Sequence, residues 1–475
     1  MRKNEKRLGE ESIGKLLLQF SLPAIIGMMV ISMYSVVDRI FVGQVVGPLA
    51  ITGISLTFPL AILMMAFGML IGIGTGATIS IKLGQQKKEE AEVALGNAFT
   101  LLLIIAFLTT TIGLFFLDPV LQILGANSGA LVYAKQFIQI IMAFSVFQFI
   151  GFGLNGSMSA SGNPKFGMMT MLMNAVINIV LLIVFIGFFG WGIRGSAFAT
   201  AIAQGCSAIW VLSFFRGKKT TIRLRFRNMR LRKDIVKKIL SIGLAPFTLQ
   251  LGSSLVILVL NKQLFAISGD MGVAALGAIF PVTMFLVMPI IGLSQGAQPI
   301  IGYNYGAKKI DRLKKAFLIS VTIASIHAIV MSIIVQLFPH FFIQMFSQDK
   351  ALVAIGTHGI RIYLAMMPFV GFLILGANFF TAIGKAPQSM FLNLSRQVIF
   401  FVPLLLILPH YFGINGVWLA MPLSDITALV LTTILLIRQF KHLTPDKDDI
   451  IAAESVISPD ITEPYCISEA SEQAL

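Results

Sequence analysis

Apolar runs about as long as a bilayer is thick recur along the whole chain, separated by short polar stretches. They predict helices near 14–40, 50–81, 93–117, 132–156, 166–189 and 193–215, then near 236–263, 272–303, 315–338, 355–381, 389–409 and 413–437. The pattern is that of an all-α polytopic membrane protein with twelve transmembrane helices. Its first run, 17–48, contains Asp38. At about 20 residues per crossing, residues 17–37 already span, so the apolar positions 40–46 form either an overlong helix or an exit segment. A charge at the bilayer centre costs about 2.5–3.5 kcal/mol even on the mild insertion scale, and one that persists there faces a wet cavity and has a task. The alternative is that Asp38 and Arg39 mark the outer end of the first helix.

The loops alternate in charge. Lys82, Lys87 and Lys88 follow the second helix, Lys165 the fourth, residues 216–238 the sixth, Lys308 to Lys315 the eighth and Lys385 the tenth. The loops around Asp118 and Asp270 carry no Lys or Arg, and the other odd loops carry little beyond Arg194 and Lys350. By the positive-inside rule both termini and the even loops are expected to be cytoplasmic, in a multi-pass protein of the inner or plasma membrane. The charged start MRKNEKRLGEESIGK is too long for a removable signal peptide, so the first helix is expected to stay. The expected organisation is a cytoplasmic N-terminus (1–13), an N-lobe (14–215), a basic linker (216–235), a C-lobe (236–438) and a disordered acidic tail (439–475). The stretch 216–234 is the most basic, and reads as a cytoplasmic linker touching anionic lipid in preference to nucleic acid.

The halves repeat. Gly84 and Gly306 lie 222 residues apart (306 − 84), as do Pro59 and Pro281 (281 − 59) and Gly162 and Gly384 (384 − 162). The Gly-Ile-Arg-Gly at 192 and the Gly-Ile-Asn-Gly at 413 differ by 221 (413 − 192). One offset held across six helices implies a parallel duplication of six plus six, which places a substrate path between halves. At an offset of 223, Pro23 matches Pro246 and Asp38 matches Asn261 (261 − 38), so the acid is present in one half.

A mean hydropathy of +0.88 with 12% charged residues excludes a soluble protein, in which about 25% are charged. The net charge of +15 is therefore placed at the membrane surface, not on nucleic acid. Cys206 and Cys466 make no disulfide framework or metal pattern. No nucleotide loop, zinc pattern or hydrolytic triad is present, so neither an enzyme nor a cofactor is expected; GIGTGA at 72–77 lies inside a predicted membrane helix, where small residues permit close packing. Polar residues within the first-half helices are Tyr34, Asn155, Asn174, Asn178, Thr200 and Gln204. Asn174 and Asn178 share a helix face, and their amide oxygens suit Na⁺ or a protonated Asp, or serve as interhelical glue. Second-half counterparts are Gln250, Asn261, Asn378, Arg396, Gln397 and Asp425, of which Arg396 and Asp425 would neutralise one another. Met-rich groups such as Met284 and Met288 either form a repackable wall for apolar substrates or fill space between helices.

The motifs VVDRIFVGQ (36–44) and GLSQGAQPIIGYNYGAKK (292–309), supported by SASGNPK and GIRGSAFATAIAQ, resemble those of the multidrug and toxic compound extrusion family, in its bacterial branch of efflux pumps and DNA-damage-inducible relatives. The resemblance runs to about Lys441. It implies two six-helix lobes and efflux of hydrophobic or cationic drugs by alternating access, driven by H⁺ or Na⁺; a monomer is expected. It also implies that Asp38 is the coupling carboxylate, with Asn178 and Thr200 completing a cation site in which Asp38 and Asn178 would ligate Na⁺. Many relatives carry a second acid four residues after that Asn, followed by Pro, whereas this chain has Leu182 and Ile183. Alternatives are a flippase for lipid-linked or polyprenyl-linked precursors and a non-transporting membrane scaffold.

Overall fold

The computed structural model describes residues 3–123, 128–217, 220–346 and 349–443. The acidic tail beyond 443 and Cys466, singled out above, lie outside the described residues. Two compact units are distinguished, Met1–Thr432 and Thr433–Leu475, and the first contains Asp38 and every other candidate site residue.

No strand occurs among the described residues. In chain order the helices are α1 (Lys3–Glu10), α2 (Ile13–Val45), α3 (Pro48–Gly84), α4 (Lys88–Phe115), α5 (Leu117–Ile123), α6 (Ser128–Ala143), α7 (Ser145–Gly153), α8 (Asn155–Ala160), α9 (Pro164–Leu182) and α10 (Gly192–Arg216), followed by α11 (Lys233–Gly306), α12 (Ile310–Leu337), α13 (Pro339–Gln344), α14 (Lys350–Tyr363), α15 (Met367–Ala382), α16 (Ala386–Leu394), α17 (Phe401–Phe412) and α18 (Ile414–Leu443). Among the described residues, ten helical stretches are long and apolar enough to cross a membrane, and the number is twelve when each of two bent pairs is taken as one span. The first span is the overlong helix, continuous over 33 residues through Asp38.

Several spans differ from straight rods. The fourth is bent by 59° after Ala143 and the tenth by 52° between Tyr363 and Met367. The seventh and eighth are the two limbs of α11, separated at Gly269, whose φ of 57° with ψ of −148° suits a residue without a side chain. A π-helical turn follows α9 at Ile183–Phe188 and another follows α16 at Ser395–Phe400. α11 begins at Lys233 and α18 runs to Leu443, each several residues beyond the ends expected from hydropathy.

The duplication is visible in the backbone. Left-handed φ values occur at Gln86 and Lys308 (308 − 86 = 222), at Gly162 and Gly384, at Gly47 and Gly269 (269 − 47 = 222), and at Gly192 and Gly413. Gly162 and Gly384 each follow a helix, and the chain turns helical again two residues later with Pro at the first or second position, where the missing N–H costs nothing. The ends of α3 and α11 meet reciprocally: a Cβ on Gly84 would lie 2.1 Å from the Tyr303 carbonyl oxygen, and one on Gly306 would lie 2.1 Å from that of Ile81. Within the GIGTGA segment, a Cβ on Gly74 would lie 2.1 Å from the Ile239 carbonyl, the close helix approach that small residues allow.

α2 packs against both halves. Its N-terminal part faces α11, where a Cβ on Gly296 would strike Ser21 at 2.4 Å and Ser21 Oγ donates to the Leu293 carbonyl at 3.4 Å. Ahead of it, Arg312 on α12 donates to the Glu11 carbonyl at 2.7 Å and Lys309 Nζ to that of Gly9 at 2.8 Å. Its C-terminal part, with Asp38, faces α9 and α10.

Candidate functional site

Three residues on one face of α10, Ser196, Thr200 and Gln204, are spaced four apart and organise the interior of the first half. Ser196 Oγ donates to Asp38 Oδ1 of α2 at 3.2 Å, and Asn178 Nδ2 of α9 donates to Thr200 Oγ1 at 3.0 Å. Helices α9 and α10 are consecutive and antiparallel, so that contact fixes their register. By helix periodicity that pair brings Asn174 and Gln204 to one level a turn along, and Leu182 and Ser196 to one level a turn the other way. Twelve residues further along α9, Phe166 lies against both Trp210 and Phe214, with ring centroids 6.2 and 4.9 Å apart, on either side of the position 212 that this register gives. The result is a polar ladder: Asp38 with Ser196, Asn178 with Thr200, and Asn174 facing Gln204.

The ladder is rich in acceptors. Asn178 is 2% exposed, and its Oδ1, the Asn174 Oδ1 and the Gln204 Oε1 are buried without a hydrogen-bond donor among the described residues. A buried acceptor lacking a donor costs about 1–3 kcal/mol, so these oxygens are suited to a cation or to a ligand that donates. Asp38 is half-buried, and Tyr34, one turn before it on α2, is half-buried too. Leu182 is fully buried in a cluster with Val42, Ile186, Ile193 and Ala199. Hydrocarbon thus occupies the level at which a second carboxylate would sit, and the ladder holds one acid.

The remaining sequence candidates do not join this group. Asn155 is buried on α8 against α9, its Oδ1 3.3 Å from where a Gly167 Cβ would stand. Asn378 donates to the Ser294 carbonyl at 3.1 Å and to the Ser294 hydroxyl, which ties α15 to α11. Arg396 and Asp425 are paired, Nε to Oδ1 at 2.6 Å and Nη2 to Oδ2 at 3.4 Å, with the side chains 18% and 3% exposed. This is the mutual neutralisation their sequence setting suggested. Gln250, Asn261, Met284 and Met288 are half-buried along α11, and Gln397 Oε1 accepts from Ser253 Oγ at 2.9 Å. The π turn at Ser395–Phe400 occupies the repeat position of residues 173–178 (395 − 222 and 400 − 222), so the face that carries Asn174 and Asn178 in the first half is distorted in the second. Ser196 escaped the sequence reading, although its four-residue spacing from Thr200 and Gln204 was a usable signal.

The family model MatE matches residues 23–184 and 244–407, one segment in each half. The chain is 28% identical to the multidrug export protein MepA of Staphylococcus haemolyticus (strain JCSC1435), over 94% of this chain and 98% of that one. It is 27% identical to the protein of that name from Staphylococcus aureus (strain N315), over 92% and 96%. A solved structure of the MATE multidrug transporter DinF-BH matches with a TM-score of 0.86 at 36% identity, covering 92% of this chain and 98% of that chain. An outward-facing multidrug resistance MATE family transporter matches in fold with a TM-score of 0.88 at 24% identity, over 93% and 99%. Carrying the family's match in both of its repeated halves, this chain belongs to the MatE family of multi-pass membrane transporters.

Proposed function

We propose that the chain is a secondary active multidrug efflux antiporter of the plasma membrane, with both termini cytoplasmic, that works as a monomer and exports hydrophobic cationic compounds in exchange for H⁺ or Na⁺. The observation that carries this reading is the ladder, in which the Asp38 carboxylate accepts from Ser196, one turn along α10 from the Asn178–Thr200 contact, inside an apolar lobe. A carboxylate there is expensive to keep charged, so its occupancy by an ion or by a cationic substrate changes the energy of the surrounding packing. A ligand shifts a two-state protein only through its different affinity for the two states. What supports this role for Asp38 is that α2, which bears it, packs against α9 and α10 as well as against α11, so a change at Asp38 bears on the packing of both halves.

Leu182 favours H⁺ as the coupling ion. A proton is satisfied by one carboxylate, whereas Na⁺ in a low-dielectric lobe gains from each further negative charge. The amide oxygens of Asn178, Asn174 and Gln204 remain available to an ion that takes oxygen ligands. A lipid-precursor flippase would be expected to offer cationic groups to phosphate, and Arg396 is already committed to Asp425. A scaffold would act through its polar tail, whose deletion would then abolish function and leave a pump working.

The test is energised ethidium efflux from cells expressing Asp38→Asn at matched membrane abundance. The variant is expected to lose at least about ten-fold in efflux rate, equivalent to about 1.4 kcal/mol in the barrier to ion-driven export. Efflux equal to that of the unaltered protein would overturn the reading.

A further inference from the structure

The basic linker is built onto the protein. Asn97 of α4, fully buried, donates from Nδ2 to the carbonyls of Asn228 and Arg230, both at 3.1 Å, and accepts at Oδ1 from the Arg232 N–H at 2.7 Å. Thr100 Oγ1 donates to the Met229 carbonyl at 2.8 Å. Glu92, 5% exposed, accepts from the Arg223 N–H at 3.2 Å and pairs with Arg225 Nε at 3.2 Å. Even Gly96 is shaped to it, since a Cβ there would lie 2.3 Å from the Asn228 carbonyl. Buried polar groups on a membrane helix that take the linker backbone as partner hold it in one path.

What that path presents outward is a mixture. Phe226 is 79% exposed and Leu231 43%, among the exposed Arg225, Arg227, Arg230 and Arg232. Arg225 faces Glu92, and Arg232 faces Asp234 at 3.4 Å. No carboxylate among the described residues lies within ion-pair distance of Arg227 or Arg230. The strap joins the end of α10 at Arg216 to the start of α11 at Lys233 and lies on the first turns of α4. The apolar stretches of α4, α10 and α11 have their ends on this side, and the ends of spans are where headgroups meet water.

We propose that this strap is a docking surface for anionic phospholipid. The Arg227 and Arg230 guanidinium groups take the headgroup phosphate, whose oxygens match their paired N–H donors. Phe226 and Leu231 enter the boundary between headgroups and acyl chains, as aromatic and aliphatic groups of interfacial segments do. Charge complementarity selects the lipid, because juxtamembrane basic clusters attract the anionic leaflet. The exposed ring selects a bilayer over a soluble acidic partner.

The test places an environment-sensitive fluorophore at Phe226→Cys, in a background of Cys206→Ser and Cys466→Ser. The full chain is reconstituted in phosphatidylcholine vesicles with and without phosphatidylglycerol. Emission is expected to brighten at least about two-fold with phosphatidylglycerol, to lose that gain in Arg227→Gln/Arg230→Gln, and to fall with added salt. Since lipid composition alone is varied in the first comparison, a misfolded arginine variant leaves the test intact. Equal emission in both vesicles overturns the proposal. So does the same response to inorganic phosphate in phosphatidylcholine vesicles, which marks a free phosphate site, or emission that is already bright in phosphatidylcholine, does not change with phosphatidylglycerol and dims when the chain is ended at 443, which marks the acidic tail as occupant.

Discussion

Gly306→Ala introduces a methyl group where α11 ends against α3. Its Cβ would stand 2.1 Å from the Ile81 carbonyl oxygen, and ordinary contact begins at 3.4 Å, so the two backbones must separate by about 1.3 Å. Tilting toward the other side gives little relief, because the backbones are also close there: a Cβ on Gly84 would lie 2.1 Å from the Tyr303 carbonyl oxygen. Overpacking of this kind costs roughly 1–3 kcal/mol. Applied to a conformation with these ends together, it shifts the balance toward one with them apart by roughly 5- to 150-fold. The reporter is Ser80→Cys in a background of Cys206→Ser and Cys466→Ser. Ser80 is 1% exposed and lies 3.0 Å from where a Gly302 Cβ would stand, shielded between α3 and α11. Its alkylation by a water-soluble maleimide is expected to accelerate about ten-fold in Gly306→Ala and not at all in Gly14→Ala, where nothing lies within 4 Å of the new methyl. Unchanged alkylation in a folded Gly306→Ala protein would refute the idea that these glycines hold the two ends closed.

Arg396→Gln leaves Asp425 charged and buried, and is expected to destabilise by about 3–5 kcal/mol, whereas Arg396→Met/Asp425→Leu is expected to be nearly neutral; thermal unfolding in detergent distinguishes them, and equal losses would contradict the pairing. At the N-terminus, the side-chain hydrogen bond from Lys15 first, and then Arg7, hold the Glu11 carboxyl below its usual value of 4.5, with partial burial opposing them. The stabilisation is therefore full above the ordinary carboxylate range near pH 4.3 and is lost as the pH falls through the lowered value. Proteolysis of the first fifteen residues is expected to speed up on acidification, an effect absent in Glu11→Gln.

Hydropathy and loop charge carried the span pattern because a bilayer demands long apolar helices with satisfied backbones. The repeat was legible for a different reason: left-handed positions such as Gly162 and Gly384 constrain residue type at one spacing in both halves. The bend after Ala143 left no such mark, since Phe144 and Ser145 are not breakers; at the break the Met142 carbonyl accepts from Thr110 Oγ1 of α4 at 2.7 Å, a contact between helices that the local sequence does not announce. Of the site, Asn178 and Thr200 were legible as polar residues in apolar surroundings. That Ser196 would meet Asp38, and that Asn97 and Glu92 would be spent on the linker, depended on helix register. A single α-helical sequence does not fix that register against its neighbours.

Whether Asp38 couples export to an ion is decided by ethidium transport in proteoliposomes of the purified protein, with a proton gradient and a sodium gradient imposed separately. Transport is expected under the proton gradient, with little under sodium alone and loss of the driven component in Asp38→Asn. Transport under neither gradient would contradict coupled export and move the weight to a lipid-linked substrate.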